Sequence, residues 1–192
     1  TSDATSGVAS VSYKLDGGPS TAYTAPFAIT GEGTHTVIAT VTDNAGNSTM
    51  STFTVKIDTV APSVTDSFSG TAGSNGYYIT TGNETLNTSD ATSGVASVSY
   101  KLDGGASTAY TAPFAITGEG THTVVATVTD NAGNSTMSTF TVKIDTVAPS
   151  VTDSYSGTAG SNGYFITTGN ETLNTSDATS GVASVSYTLD GG

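Results

Sequence analysis

The run Thr88 to Gly105 (TSDATSGVASVSYKLDGG) also stands at Thr1 to Gly18 and, with Thr188 in place of a lysine, at Thr175 to Gly192. Starts at positions 1, 88 and 175 fix a period of 87 residues. A fixed period of that size is the signature of an array of units, so one unit must fold in a way that several copies can share. Residues 1–87 and 88–174 differ only at Pro19/Ala106, Ile38/Val125, Phe68/Tyr155 and Tyr78/Phe165. Each pair keeps its apolar or turn character, and the copies are expected to have one fold. A unit of this length buries a modest single core.

Composition narrows the function classes. Four Lys, no Arg and sixteen acidic residues give a net charge of −12. A chain that neutralises phosphates needs clustered cations, which argues against nucleic acid as a partner. An acidic surface rich in Thr, Ser and Gly instead resists non-specific association and collects divalent cations. With no Cys the chain has no disulfide staples, and redox chemistry gives no compartment. No run approaches the roughly 18 apolar residues of a membrane span, so no membrane insertion is expected in this segment. The sequence starts in mid-repeat without Met, and both ends are expected to be cut from something longer.

The complete unit reads from Asp58, where Asp-Thr-Val-Ala-Pro62 forms a linker that Pro62 keeps out of any helix. Ser63 to Phe68 is a short extended segment, and Gly70 to Gly76 reads as a flexible glycine-rich loop. Tyr77 to Thr80 and Glu84 to Thr88 read as one interrupted strand. Val95 to Leu102 puts Val98, Tyr100 and Leu102 on one face and Ser97, Ser99 and Lys101 on the other, the period of a half-buried strand. Asp103-Gly104-Gly105 is a turn signal. Ala109 to Ile116 is a less regular run in which Pro113 marks an edge or kink. Thr121 to Thr129 alternates with Val124, Ala126 and Val128 inward, Asp130 to Asn134 turns, and Met137 to Ile144 places Phe140, Val142 and Ile144 inward. No window keeps helical spacing, and Thr, Val and Tyr dominate the extended runs. About seven short strands at this turn spacing predict an all-β fold, a β-sandwich. The domains predicted are 1–57, the later part of a unit; 58–145, a whole unit; and 146–192, the earlier part of another. A half-sandwich leaves an apolar face and strand edges open.

Ser93 to Gly105, Gly120-Thr-His-Thr-Val124, Asp130-Asn-Ala-Gly-Asn134 and Asp145-Thr-Val-Ala-Pro149 resemble the bacterial Ig-like repeat domains of large surface proteins. The resemblance covers the whole chain. It implies tandem immunoglobulin-like β-sandwich repeats of 87 residues, an extracellular, cell-surface location, and a role in an adhesin, stalk, filament or envelope protein. It also implies that some members bind calcium at domain junctions.

Enzyme chemistry is hard to assemble from these residues. His35 and His122 are one position in two repeats and are read as solvent-facing strand residues; without Cys they make no closed zinc set. No Gly-x-Ser-x-Gly elbow occurs, and Gly70 to Gly76 lacks the Lys-Ser/Thr of a phosphate loop. Glu119 and Asp103 are a pair of carboxylates with nothing to suggest a cleft. Lys101 and Lys143 fall on the outward phase of their strands, against a buried Lys to Asn crosslink. Asn47, Asn83, Asn87, Asn134, Asn170 and Asn174 match the glycan acceptor pattern, which makes surface glycan a candidate partner.

The carboxylates converge once the sandwich is drawn. In an immunoglobulin-like topology the loop after the second strand and the loop before the last lie at the end where the chain enters. They contain Asp90 and Asp130-Asn131 with Asn134, and the entering linker contains Asp58; Asp145 and Asp177 repeat the arrangement one period on. Calcium takes six to eight oxygen ligands from carboxylates, carbonyls and water. Asp58, Asp90, Asp130, Asn131, Asn134, Asp145 and Asp177 are therefore the predicted metal-site residues, with Ca2+ as the ion. The competing view is that these side chains only cap turns. The function expected is a non-enzymatic rod-like spacer or stalk whose partners are neighbouring repeats and other copies in a filament. A carbohydrate- or receptor-binding module, or an accessory domain of a secreted polysaccharide-degrading enzyme, is the alternative.

Overall fold

A computed structural model describes residues 2 and 4–190, and no helix occurs among them. The described chain divides into two units. One holds the chain up to Ser63 with Thr88–Ser97 and Val128–Thr136; the other holds Val64–Asn87, Val98–Thr127 and the chain from Met137 onward.

In the first unit β1 (Val8–Leu15), β2 (Thr21–Ala22), β3 (Gly33–Asp43) and β4 (Ser48–Ile57) form one sheet in the order β2-β1-β3-β4. The turn after β1 needs left-handed backbone at Asp16 (φ 49°) and Gly17 (φ 72°), which the Asp-Gly pair supplies at little cost. β1 runs antiparallel to β3, with Val11 opposite Val41 and Leu15 opposite Val37. β3 and β4 pair from Gly33 opposite Ile57 to Thr42 opposite Ser48.

The strands that follow are β5 (Ser63–Phe68), β6 (Tyr77–Tyr78), β7 (Gly82–Ser89), β8 (Val95–Leu102), β9 (Thr108–Ala109), β10 (Phe114–Ile116), β11 (Gly120–Asp130) and β12 (Ser135–Ile144). They make a three-stranded sheet, β10-β7-β5, and a five-stranded sheet, β6-β12-β11-β8-β9. The segment expected as one interrupted strand is two strands in two sheets. β6 lies parallel to β12, Tyr77 opposite Lys143, whereas β7 pairs with β10, Glu84 opposite Phe114. Pro113 marks a similar switch between β9 and β10. The glycine-rich loop is also not a free loop. Asn75 (φ 55°) and Gly76 (φ 77°) form a tight turn, closed by Tyr77 N–H on the Ser74 carbonyl at 3.0 Å, with Ala72 bridged to Tyr78. Two consecutive left-handed residues, Asn then Gly, are what a two-residue hairpin turn requires.

Alternation along the strands fills the core of the complete repeat. Leu86, Ile116, Val124, Ala126, Val142 and Ile144 are buried, with Val64, Phe68, Tyr78, Phe114 and Phe140 packed on them. Tyr100 stacks on Phe114 with centroids 3.7 Å apart, and Tyr110 stands edge-on to both. The Tyr110 hydroxyl accepts the Leu86 N–H at 3.1 Å, pinning β7 to the aromatic cluster. One polar side chain enters this core. Glu84 is fully buried and neither carboxyl oxygen has a hydrogen-bond partner. Burial, with the Asp66 carboxylate nearby, pushes its pKa up to about 7.

Burial differs between matching strands of the repeats. Phe53 and Val55 on β4 are 56% and 36% exposed, whereas Val142, one period on from Val55, is 2% exposed. β13 (Ser150–Tyr155) and β14 (Glu171–Ser176) form an antiparallel pair with Val151 at 64% and Leu173 at 38%; the counterpart Leu86 is 4% exposed. Residues 182–189 match β1 and β8 in all but Thr188, yet form no strand.

Candidate metal site

Asp58 follows β4, Asp90 follows β7 and Asp130 ends β11. Each offers one carboxylate oxygen, and these three oxygens lie within 4.8 Å of one another. Cation–oxygen bonds of about 2.3 to 2.6 Å span such a triangle. All three residues belong to the first unit.

Backbone amides hold the carboxylates in place. Asp90 Oδ1 accepts the N–H groups of Thr92 (3.2 Å), Ser93 (2.9 Å) and Gly94 (2.6 Å). Asp130 Oδ1 accepts those of Ala132 (2.9 Å), Gly133 (2.7 Å) and Asn134 (2.8 Å). Asp58 Oδ1 takes Val60 N–H at 3.2 Å, and its Oδ2 takes Ser93 N–H at 3.1 Å. Turn capping is thus in force at all three positions. At Asp130 burial works to raise the pKa, and the Asn134 side chain with the amides of Asn134, Gly133 and Ala132 outweighs it, leaving the carboxyl below its usual range. The same amides offset the mutual repulsion of three nearby carboxylates.

The two asparagines have distinct parts. Asn134 Nδ2 donates to Asp130 Oδ2 at 2.9 Å and to the Asp58 carbonyl at 3.1 Å, tying linker to turn. Asn131 Nδ2 donates to the carbonyls of Ser93 (2.8 Å) and Gly94 (3.0 Å), locking two loops together. Both direct amide nitrogen, a donor, at the acceptors around them.

In the second unit Asp145, 8% exposed, and Asp177 repeat this wiring. Asp145 Oδ2 accepts Ser180 N–H at 3.1 Å, and Asp177 Oδ1 accepts Thr179, Ser180 and Gly181 N–H. The Gly181 amide leads in holding the Asp177 carboxyl below its usual range.

Further residues grip the linker. Glu32 accepts Thr59 N–H at 2.9 Å and Thr59 Oγ1–H at 2.5 Å; Glu119 accepts the same two groups of Thr146. Thr136 Oγ1–H donates to the Pro62 carbonyl at 2.5 Å, and Tyr77 O–H to the Thr179 carbonyl at 3.3 Å. Sequence reasoning considered Glu119 only beside Asp103, and Asp103 has another partner. His122 Nδ1 lies 2.8 Å from Asp103 Oδ2, with Nε2 3.3 Å from the Gly118 carbonyl. The ring is 13% exposed, so it is no solvent-facing strand residue. His35 and Asp16 repeat the pair at 2.8 Å. Lys143, expected to face outward, sits half-buried with Nζ 5.5 Å from the Tyr77 ring centroid.

Two sheets exchanging strands across one core define an immunoglobulin-like sandwich module. The chain belongs to the bacterial Ig-like domain family, whose model matches residues 4–59 and 67–146. Fibronectin(III)-like modules of CbhA from Clostridium thermocellum are similar over 75% of this chain and 83% of that chain, at 16% identity and a TM-score of 0.36. No curated protein matches the chain.

Proposed function

We propose that the chain is a structural extracellular segment, a spacer or stalk element built from Ig-like repeats and stiffened by Ca2+ at the linker between one repeat and the next. The observation that carries this reading is the linker after Asp58, which is gripped from both sides. Glu32 of the preceding repeat holds Thr59, while Ser93, Asn134 and Thr136 of the following repeat hold Asp58 and Pro62. A linker with that many fixed partners is held to one course rather than left free. Near-identical copies also suit a spacer better than a binding module, which tends to be singular.

Asp58, Asp90 and Asp130 would hold the ion, supplying three carboxylate oxygens while water fills the remaining positions. The bound ion supplies charge neutralisation and rigidity. It binds the ordered junction and not the unfolded chain, so it adds stability by mass action. The deciding experiment is small-angle scattering with calcium and with chelator, beside a glycan array. An extended particle that stiffens with calcium supports the proposal; a compact particle, or a specific glycan, would replace it with the binding-module reading.

A further inference from the structure

We propose that His122 is a proton-operated clamp on the linker after β12: the doubly protonated ring holds the Gly118–Gly120 loop, and through Glu119 that loop holds Thr146. The two ring nitrogens carry the case. Nδ1 lies 2.8 Å from Asp103 Oδ2, and Nε2 lies 3.3 Å from the Gly118 carbonyl. A carboxylate and a carbonyl only accept, so both contacts are hydrogen bonds when each nitrogen bears a proton. A neutral ring has one N–H, and whichever contact it keeps, the other sets a nitrogen lone pair against an oxygen. Asp103 is the firmer partner, since its Oδ1 also accepts Thr123 N–H at 2.7 Å. The contact given up is therefore the longer, uncharged one to Gly118.

Gly118 passes that event to the linker. Gly118 (φ 106°) and Gly120 (φ 109°) adopt backbone that side chains disfavour, and the residue between them is Glu119. The loop thus sets its Gly118 carbonyl on the ring and its Glu119 carboxylate on Thr146, where it accepts the N–H at 2.9 Å and the hydroxyl as well. Asp103 is the charged group that acts on the ring, raising its pKa against the effect of burial. Glu119 is engaged with Thr146. On the neighbouring strand the first repeat places uncharged Val55 opposite the matching His35, and Lys56 opposite Thr34 on the alternate phase. That repeat carries the whole device again. His35 Nδ1 lies 2.8 Å from Asp16, its Nε2 3.2 Å from the Gly31 carbonyl, and Glu32 holds Thr59. The linker is held in mild acid and released as pH climbs past the ring's raised value. The use of such a clamp rests on the spacer reading, whereas the clamp itself needs neither that role nor an ion.

Amide exchange of the full chain, read by NMR with chelator present, tests this. The Thr146 protection factor, corrected for intrinsic exchange, should fall as pH rises through the His122 titration, about tenfold for each unit by which closure raises the ring's pKa. His122→Gln, which cannot titrate, should lose that step at Thr146 and keep it at Thr59, where His35 is intact. Comparing the two proteins also removes any pH dependence from Glu84, which both carry. In the unaltered chain the Thr146 step and the His122 ring titration should share one midpoint, a comparison that needs no variant. Separate midpoints, a Thr146 protection factor that is flat or rises with pH, or a step that survives in His122→Gln would each overturn the proposal. None of these outcomes bears on calcium or on particle shape, so the spacer reading is tested separately.

Discussion

Glu119 receives both the backbone N–H and the hydroxyl of Thr146, so one carboxylate fixes the second residue after β12 at two points. Glu119→Ala should leave the core transition almost unmoved, by less than about 1 kcal/mol, since the group is exposed and its net hydrogen-bond contribution is small. Amide exchange at Thr146 should accelerate, and unchanged protection there would mean the linker is held by other contacts.

Removing calcium should lower the melting temperature and loosen the junction at Asp58. The stabilisation is about 2.7 kcal/mol at a hundred times Kd. Asp58→Ala and Asp90→Ala should abolish the calcium-dependent shift, while Lys101→Ala, on an exposed face, should keep it. Calorimetry with calcium and with chelator reads this directly, and identical curves would return the aspartates to turn capping alone.

Glu84 predicts a stability loss toward neutral pH. Its folded pKa of about 7 lies above the ordinary value of 4.5, so its contribution is complete below 4.5 and disappears as pH rises through 7. Glu84→Gln cannot ionise and should flatten that part of the melting profile. Equal slopes for both proteins between pH 4.5 and 7 would remove Glu84 as the cause.

His122 adds a second titration in the same direction. The Asp103 hydrogen bond leads in raising its pKa above 6.5, so the ion pair stabilises fully below 6.5 and is lost as pH climbs through the higher folded value. Both ring nitrogens face acceptors, which favours the doubly protonated ring. An NMR titration of His122 should shift back toward 6.5 in Asp103→Asn; no shift would mean another group raises it.

Tyr110→Phe should cost about 1 to 3 kcal/mol, because it leaves the Leu86 N–H without its acceptor beside the core. In a repeat of this size that is a drop of several degrees in melting temperature. A change below one degree, within about 0.3 kcal/mol, would show that the amide finds water instead.

The sandwich was legible because alternation in Val95 to Leu102 and Thr121 to Thr129 is regular and the turns carry Asp-Gly or Asn. The sheet switches were not, since period 2 says which residues face inward but not which sheet receives them. Asn75-Gly76 did carry a hairpin signal that the surrounding glycines obscured. Glu84 was findable too, because it shares the inward parity of Leu86 two residues on. The carboxylate triad followed from loop order, whereas the grip of Glu119 on Thr146 depends on how the linker leaves β12, which no local pattern encodes.

One sequence, Val-Ala-Ser-Val-Ser-Tyr, is strand in β1 and β8 and forms no strand at 182–187. Its state is decided by a distant neighbour, so β11 cannot tell β8 from β1 by side chains, only by how the chain connects them. Near-identical repeats therefore offer one another wrong partners of correct chemistry. Refolding from denaturant must discard such mispaired, register-perfect traps, and synthesis from one end, which presents each repeat before its twin exists, avoids them.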